Sequence, residues 1–480
     1  MDQEVLKYLN GSRDDAITFL QQLVRQPSVS AELCGVRECA EILAERHSAL
    51  GFQQVEVVDT AGLPGLYAYF DAGSRCTLVV YAMIDSNLVG DLGAWSFPPF
   101  GGDIVSLDGF PEVIVGRGSR TKGPYATFLW AIEALVKTKG NLPVNVACFL
   151  DGEEWLGSTH YRDVVRRHRA SLRNVVGGIS PSAGQSRSGE VSLTLGTRGF
   201  LYFDLVASGK NWGRGPVTDH VHSSAQSVVD SPAWRLVQAL NTLCAPGEDC
   251  FCCAVPGFYD DIEEPAGERL ALLERIAERW RGRDLREVLP GIAGVGRVER
   301  FCRDDLDTVD LLKQYLYRPT FNINGLSSGY TGPGSTLFTL PGEARCRIDA
   351  RFPPRQDFSK ILKSLRTHLN QHGYRDIEIR TYGAYEWSQC SLSDHVVKAN
   401  ITCLSEEGIS PLIWPTRASS APFGILQHEI GCPVLSAVGL GYSGGAHGTD
   451  EYFVLEGDGK VRGVSECAMF FCRYLSRLQA

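Results

Sequence analysis

Residues 144–158 read VNVACFLDGEEWLGS. The first eight form an apolar run closed by an acid, the mark of a strand buried on both faces. Two adjacent carboxylates follow, Glu153 and Glu154, and then Gly157. In an α/β sheet, ligands bind beyond the carboxyl ends of the strands, so this turn is where chemistry is expected. Adjacent glutamates in a turn can divide the work, one handling a proton and the other a cation. The plainer alternative is a solvated helix N-terminus, where Glu is favoured by the helix dipole.

The surroundings fit such a sheet. TLVVYAMID (77–85) reads as a second buried strand leading to Asp85, and NVVGGIS (174–180) as a third. Helical periodicity covers 14–26, 36–50 (closed by Gly51) and 124–137, the last with Pro124 in its first turn. Strands alternating with helices predict an α/β domain with a mostly parallel sheet. Near residue 198 the texture changes. GFLYFDLVASG (199–209) and ARCRIDARF (344–352) alternate as half-buried antiparallel strands do, with helices at 231–243 and 358–373. The α/β texture then returns, ending in a helix through KVRGVSECAMFFCRYL. The predicted organisation is a catalytic domain of residues 1–197 and 384–480, interrupted by an inserted α+β lid/dimerisation domain at 198–383. Residues 246–310, punctuated by Gly and Pro and rich in both charges, read as surface insertions.

The composition is that of a globular protein: 480 residues, 44% hydrophobic and 21% charged, which excludes collagen and long-range disorder. A formal net charge of −9 argues against non-specific binding to nucleic acid or to an anionic membrane. No run reaches the ~18 consecutive apolar residues of a membrane span. The N-terminus lacks an apolar secretory core. Fifteen scattered cysteines then read as reduced thiols in a cytoplasmic protein. Cys250, Cys252 and Cys253 cluster without the second ligand pair that a structural zinc site needs, so loop or strand thiols are expected there.

Two further loops carry chemistry-bearing residues. GRGSRTKGP (116–124) is Gly-rich, opens a helix and holds Arg117, Arg120 and Lys122, but lacks the full phosphate-loop pattern. GGAHGTDE (444–451) carries His447, and a lone loop histidine is most often a surface residue. GYSGG (441–445) matches the nucleophile-elbow string, but no convincing helix follows it.

Taken together and in order, these segments resemble the di-zinc exopeptidase and deacylase family, which includes carnosine dipeptidases, succinyl-diaminopimelate desuccinylases and acetylornithine deacetylases. GAWSFPPF (93–100) resembles its W-x-x-x-P-F stretch, GRGSRTKGP its GRGxxDxKG, and LDGEEWLGS its EGEEExGS. DHVHSS (219–224) resembles DLHSG, and AHGTDE (446–451) resembles AHSPNE. PTFNINGLSSGYTGPGS (319–335), which contains Asn324, and ARFPPRQD (350–357) resemble landmarks of the inserted domain. The resemblance implies a general base at Glu153, zinc ligands at Glu154 and His447, and a carbonyl-polarising His222. It also implies substrate binding by Arg351, His222 and Asn324, and a homodimer formed through the inserted domain.

The departures are as informative. Where the family's first strand ends in H-x-D, this chain has Met83, Ile84 and Asp85. The metal-bridging Asp falls on Arg120 or Thr121 in a loop one residue shorter, and a third ligand falls on Pro181. A thioether, a guanidinium and the hydrocarbon ring of a proline do not replace imidazole and carboxylate on zinc. The expectation is therefore no cofactor and no di-zinc centre. Glu154 and His447 remain as residual metal candidates, and Arg120 is expected to pair with Glu154 or Asp85 in place of the lost cations. The favoured reading is a metal-independent acid/base enzyme using Glu153, Glu154, Arg120, His222, His447 and Asp85. It would act on an amino-acid- or dipeptide-like carboxylate by cyclisation, elimination or acyl rearrangement, in specialised biosynthesis. The alternatives are a non-catalytic binding protein and an amide hydrolase with one residual metal.

Overall fold

The computed structural model describes residues 2–245, 251–292, 298–332, 334 and 338–479. The chain divides into two compact units, one of Met1–Thr197, Ser388–Arg417 and Pro422–Ala480, the other of Arg198–Trp387 and Ala418–Ala421.

The first unit is built on an eight-stranded mixed sheet. Four neighbouring strands, Asn145–Asp151, Thr77–Met83, Val175–Pro181 and Val434–Val438, run parallel. Asn145–Asp151 is buried along its whole length, as its unbroken apolar run requires. The outer strands Gln54–Val58 and Gly65–Phe70 join antiparallel. This register sets residues side by side at the carboxyl edge, with Met83 opposite Asp151 and Pro181 opposite Val438. The helix Ser119–Lys139 packs against Val464–Arg477 and Arg13–Arg25, burying Phe128, Trp130 and Phe471. A second, four-stranded sheet, which the sequence reading did not anticipate, joins Asp103–Leu107, Phe110–Val115, Tyr452–Glu456 and Ser443–Gly444.

The second unit carries a four-stranded antiparallel sheet ordered Thr320–Ser327, Glu343–Phe352, Gly199–Ser208 and Glu378–Tyr385. Its core face holds Leu201, Phe203, Leu205, Ile348 and Ala350. The helices Pro232–Asn241 and Phe358–Gln371 cover that face.

Two local expectations need correction. The helix placed at 124–137 begins at Ser119, so Pro124 lies inside it and most of GRGSRTKGP is helical. Gly118, at φ 85°, turns the chain into that helix through the left-handed region. Nor are the described parts of 246–310 mere surface insertions. Val255 and Phe258 belong to the second unit's core, and the helix Glu268–Arg279 buries Leu272, Leu273 and Ile276 on one stripe. Cys250 lies outside the described residues.

Candidate active site

The parallel strands of the first unit end in a group of buried acids. Asp85 is fully buried just beyond Met83. Its Oδ2 accepts hydrogen bonds from Ser30 Oγ (2.7 Å) and from the Trp155 backbone N–H (3.0 Å). Its Oδ1 has no hydrogen-bond partner among the described residues. Burial, and then the neighbouring charge of Glu154, push the Asp85 carboxyl up to about 7. Asp151, equally enclosed, accepts from Ser158 Oγ (2.6 Å) and from the Glu153 N–H (2.9 Å). Burial first, and the charge of Asp85 second, push it up to about 8. The sequence reading missed Asp151. The acid ending an apolar run is the signal that marks it.

The two adjacent glutamates part company. Glu153 Oε1 accepts from the Leu63 N–H (2.7 Å), and Oε2 accepts from the His160 N–H (2.9 Å). His160 Nδ1 stands 3.0 Å from both oxygens. Glu153 is thus a buried tie between two loops. The fit leaves no room at Gly62, where a Cβ would lie 2.0 Å from Glu153 Oε1. Glu154 instead opens the short 3-10 turn Glu154–Leu156, and its charge acts on Asp85 and Tyr81. Trp155, the next residue, stands edge-on to the His447 ring with centroids 5.1 Å apart. The indole Nε1 is buried without a hydrogen-bond partner among the described residues.

His447 adopts the left-handed conformation, φ 63°. Partial burial, and then the charges of Arg120 and Arg117, hold its imidazole below the usual value. The loop that carries it is pinned by Glu451. Arg117 Nη1 donates to Glu451 Oε2 (2.9 Å), and Arg117 Nη2 donates to the Gly448 carbonyl (2.9 Å). The Arg120 N–H donates to Glu451 Oε1 (3.2 Å), so Glu451 also satisfies the start of the Ser119–Lys139 helix. Arg117 lies over the Trp95 ring at 5.0 Å, and Asp450 accepts from the Ser96 N–H (2.9 Å). The three motifs around Trp95, Arg117 and His447 therefore meet in one place. Of the two partners expected for Arg120, Glu154 or Asp85, Asp85 is not paired with it; its Oδ2 takes Ser30 and the Trp155 N–H. Lys122 is structural, donating to the Leu23 and Gln26 carbonyls beside the end of the Arg13–Arg25 helix.

The remaining sequence-derived residues belong to the second unit. Arg351 Nε donates to Asp349 Oδ2 (3.0 Å), and the guanidinium lies over the Phe200 ring at 5.3 Å. Asn322 Nδ2 bridges from Asp349 to Asn324. Arg351 and Asp349 line a cavity of about 530 Å³ with Phe251, Tyr259, Thr320 and Phe321. His222 is exposed on a short strand. Its Nδ1 accepts the Ser224 N–H (3.2 Å).

Residues 196–377 match the model of a peptidase dimerisation domain. Over 97% of its length the chain superposes on 98% of an M20 family metallo-carboxypeptidase from Sulfolobus solfataricus, with TM-score 0.80 and 28% identity. The chain is thus similar along its length to M20 peptidases, and its inserted domain matches their dimerisation domain. Its M20 relatives include the Cys-Gly metallodipeptidase dug1 of Schizosaccharomyces pombe, 24% identical over 77% of this chain and 75% of that protein. The Beta-Ala-His dipeptidase of Rattus norvegicus is 26% identical over 60% of this chain, and the match spans only 54% of the rat protein. The M20 fold accounts for both units, the mixed sheet with its parallel centre and the inserted α+β domain.

The donor set at this M20 site does not suit a pair of zinc ions. The strand ends supply a Met83 thioether and the Pro181 ring, and the Gly-rich segment supplies Arg120 and Thr121. A permanent guanidinium cation opposes any dication bound beside it. At His447 the neighbouring ring is an indole, which cannot ligate.

Proposed function

We propose that this chain carries out acid–base chemistry without a two-metal centre, on a small substrate bearing an α-carboxylate. The observation that carries this reading is the Trp155 indole seated against His447. Glu153 has both oxygens occupied by Leu63 and His160, so the proton-handling role falls to Glu154. Counted from Gly152 to Gly157 and Ser158, the third glutamate of the EGEEExGS pattern then falls on Trp155. With that shift the five donor positions carry Met83, Arg120 or Thr121, Trp155 in place of the Glu154 expected from the sequence, Pro181 and His447.

The charge of Glu154 acts on Asp85, whose carboxyl burial pushes up to about 7, so that it is divided between its two forms near neutral pH. A carboxyl poised near neutrality is suited to general acid–base work. His447, neutral and lying near Arg120, offers a second proton acceptor. Without a metal to lower the pKa of water, amide hydrolysis is the harder course. Proton abstraction, cyclisation, elimination or acyl rearrangement needs no strong hydroxide. Arg351, with Asn324 in the same polar network, is the anchor proposed for the carboxylate, and the dimerisation-domain match supports assembly as a homodimer.

The names of the relatives support a second reading, an amide hydrolase holding one ion between Glu154 and His447. Elemental analysis of protein purified without added zinc separates the two. Metal well below one equivalent, and turnover of an N-acyl amino acid or dipeptide panel indifferent to chelators, supports the first. Close to one tightly held equivalent, with turnover lost on chelation, supports the second. Two equivalents would overturn both.

A further inference from the structure

In the second unit, Cys244 and Cys253 face each other across an antiparallel bridge. The Ala245 N–H donates to the Cys252 carbonyl (2.8 Å), and the Ala254 N–H donates to the Leu243 carbonyl (2.9 Å). These flanking bonds make Cys244 and Cys253 a non-hydrogen-bonded pair, the arrangement that brings Cα atoms to about 4.5 Å and sets both side chains on one face. That separation lies within the range a disulfide spans. Both thiols are free in the structure, Cys244 exposed and Cys253 buried. Cys252, on the alternate face, interacts with Tyr259 instead.

We propose that Cys244 and Cys253 form a reversible disulfide that sets the wall of the Arg351 cavity. The oxidant is a hydroperoxide such as hydrogen peroxide. The accessible Cys244 thiolate attacks one peroxide oxygen, giving a sulfenic acid and releasing hydroxide, which takes up a proton to become water. The Cys253 sulfur then displaces the sulfenic hydroxyl as a second water. Two thiols and one peroxide thus become one disulfide and two waters. A thiol reductant reverses the reaction by exchange.

The consequence for the cavity follows from two contacts. The Cys253 N–H donates to the Tyr259 hydroxyl (2.9 Å), and Tyr259 and Phe251 both line the cavity that holds Arg351. Phe251 is also stacked with Phe321, its centroid 6.1 Å away. A crosslink at Cys253 therefore fixes the segment that supplies this aromatic wall. The crosslink itself does not depend on the proposed function. Only the meaning of the cavity for substrate binding does.

The test uses the full-length protein treated with hydrogen peroxide, alkylated with iodoacetamide and mapped by mass spectrometry without reduction. The expected result is a Cys244–Cys253 linked peptide two hydrogens lighter than its parts, with loss of alkylation at Cys244 and full recovery after dithiothreitol. Cys244→Ser abolishes the linked peptide, while Cys302→Ser, at another exposed thiol, leaves it intact. Hydrogen exchange of 251–259 slows on oxidation in the parent protein and is unchanged in Cys244→Ser. Cys244 found overoxidised or paired elsewhere overturns the proposal. A linked peptide without slowed exchange would keep the crosslink and overturn its control of the cavity.

Discussion

The indole of Trp155 stands edge-on to the imidazole of His447, ring centroids 5.1 Å apart and planes at 82°. Burial is the first cause that lowers the His447 pKa, ahead of Arg120 and Arg117. The indole covers one edge of an otherwise exposed residue, and removing it takes that cover away. Trp155→Ala is therefore expected to move the His447 pKa upward, toward the ordinary histidine value. Arg120→Gln is expected to move it the same way by a smaller amount. Histidine proton resonances followed against pH, with His447→Gln for assignment, read both. A His447 pKa that stays put in Trp155→Ala would remove the basis for placing that indole in the site.

Glu153 and Glu154 are expected to fail differently. In Glu153→Gln the amide oxygen replaces one carboxylate oxygen, but the NH₂ must then meet a donor, either the Leu63 or the His160 N–H. That leaves a buried polar group unsatisfied, with an expected stability loss of about 1–3 kcal/mol. Glu154→Gln is expected to leave stability nearly unchanged and to lower the Asp85 pKa, because the neighbouring charge is gone. Urea denaturation of the two variants measures the contrast. Equal losses would mean that the two carboxylates are not divided as described.

Arg117 and Glu451 form a buried ion pair joining two loops 334 positions apart in sequence. Breaking one side of such a pair leaves an uncompensated charge, typically a loss of about 3–5 kcal/mol. Arg117→Met is expected to fall in that range and to free the His447 loop, seen as faster hydrogen exchange at 445–451. Arg117→Lys, which keeps the charge but not the forked contact to Glu451 and the Gly448 carbonyl, is expected to recover only part of the loss. A surface-like loss below about 1 kcal/mol would contradict the burial of this pair.

The legible parts of the fold were those written in local periodicity. The strand Asn145–Asp151 announces itself because both faces are buried and every residue is constrained alike. The start of the Ser119–Lys139 helix was not legible, because the carboxylate serving its first turn comes from Glu451. The sheet pairing Phe110–Val115 with Tyr452–Glu456 was missed for the same reason. Within the site, sequence singled out Glu153 and Glu154 as a pair but could not say which way each points. That depends on a 3-10 turn whose Trp155 N–H is held by Asp85, and on the Leu63 N–H, which claims Glu153.

Asp151 carries the pH dependence to be expected of the fold. Its carboxyl titrates near 3.8 when exposed and is pushed up to about 8 in the folded chain, first by burial and then by the charge of Asp85. The folded state therefore keeps a proton that the unfolded state releases. The stability from this group is fully present below pH 3.8 and is lost as pH rises toward about 8. A tenfold difference in proton affinity between the two states is worth about 1.4 kcal/mol, so the effect across neutral pH is on the order of a few kcal/mol. Asp85, which titrates in the same direction and lies close by, adds to the slope. In Asp151→Asn the side chain can no longer ionise, while its oxygen can still accept the Glu153 N–H. The melting temperature of the parent protein is expected to fall between pH 5 and pH 8.5 (a range of roughly three to four pH units around the two carboxyls), and the variant's curve is expected to be flatter. Parallel curves for parent and variant over that range would show that Asp151 is already ionised in the fold.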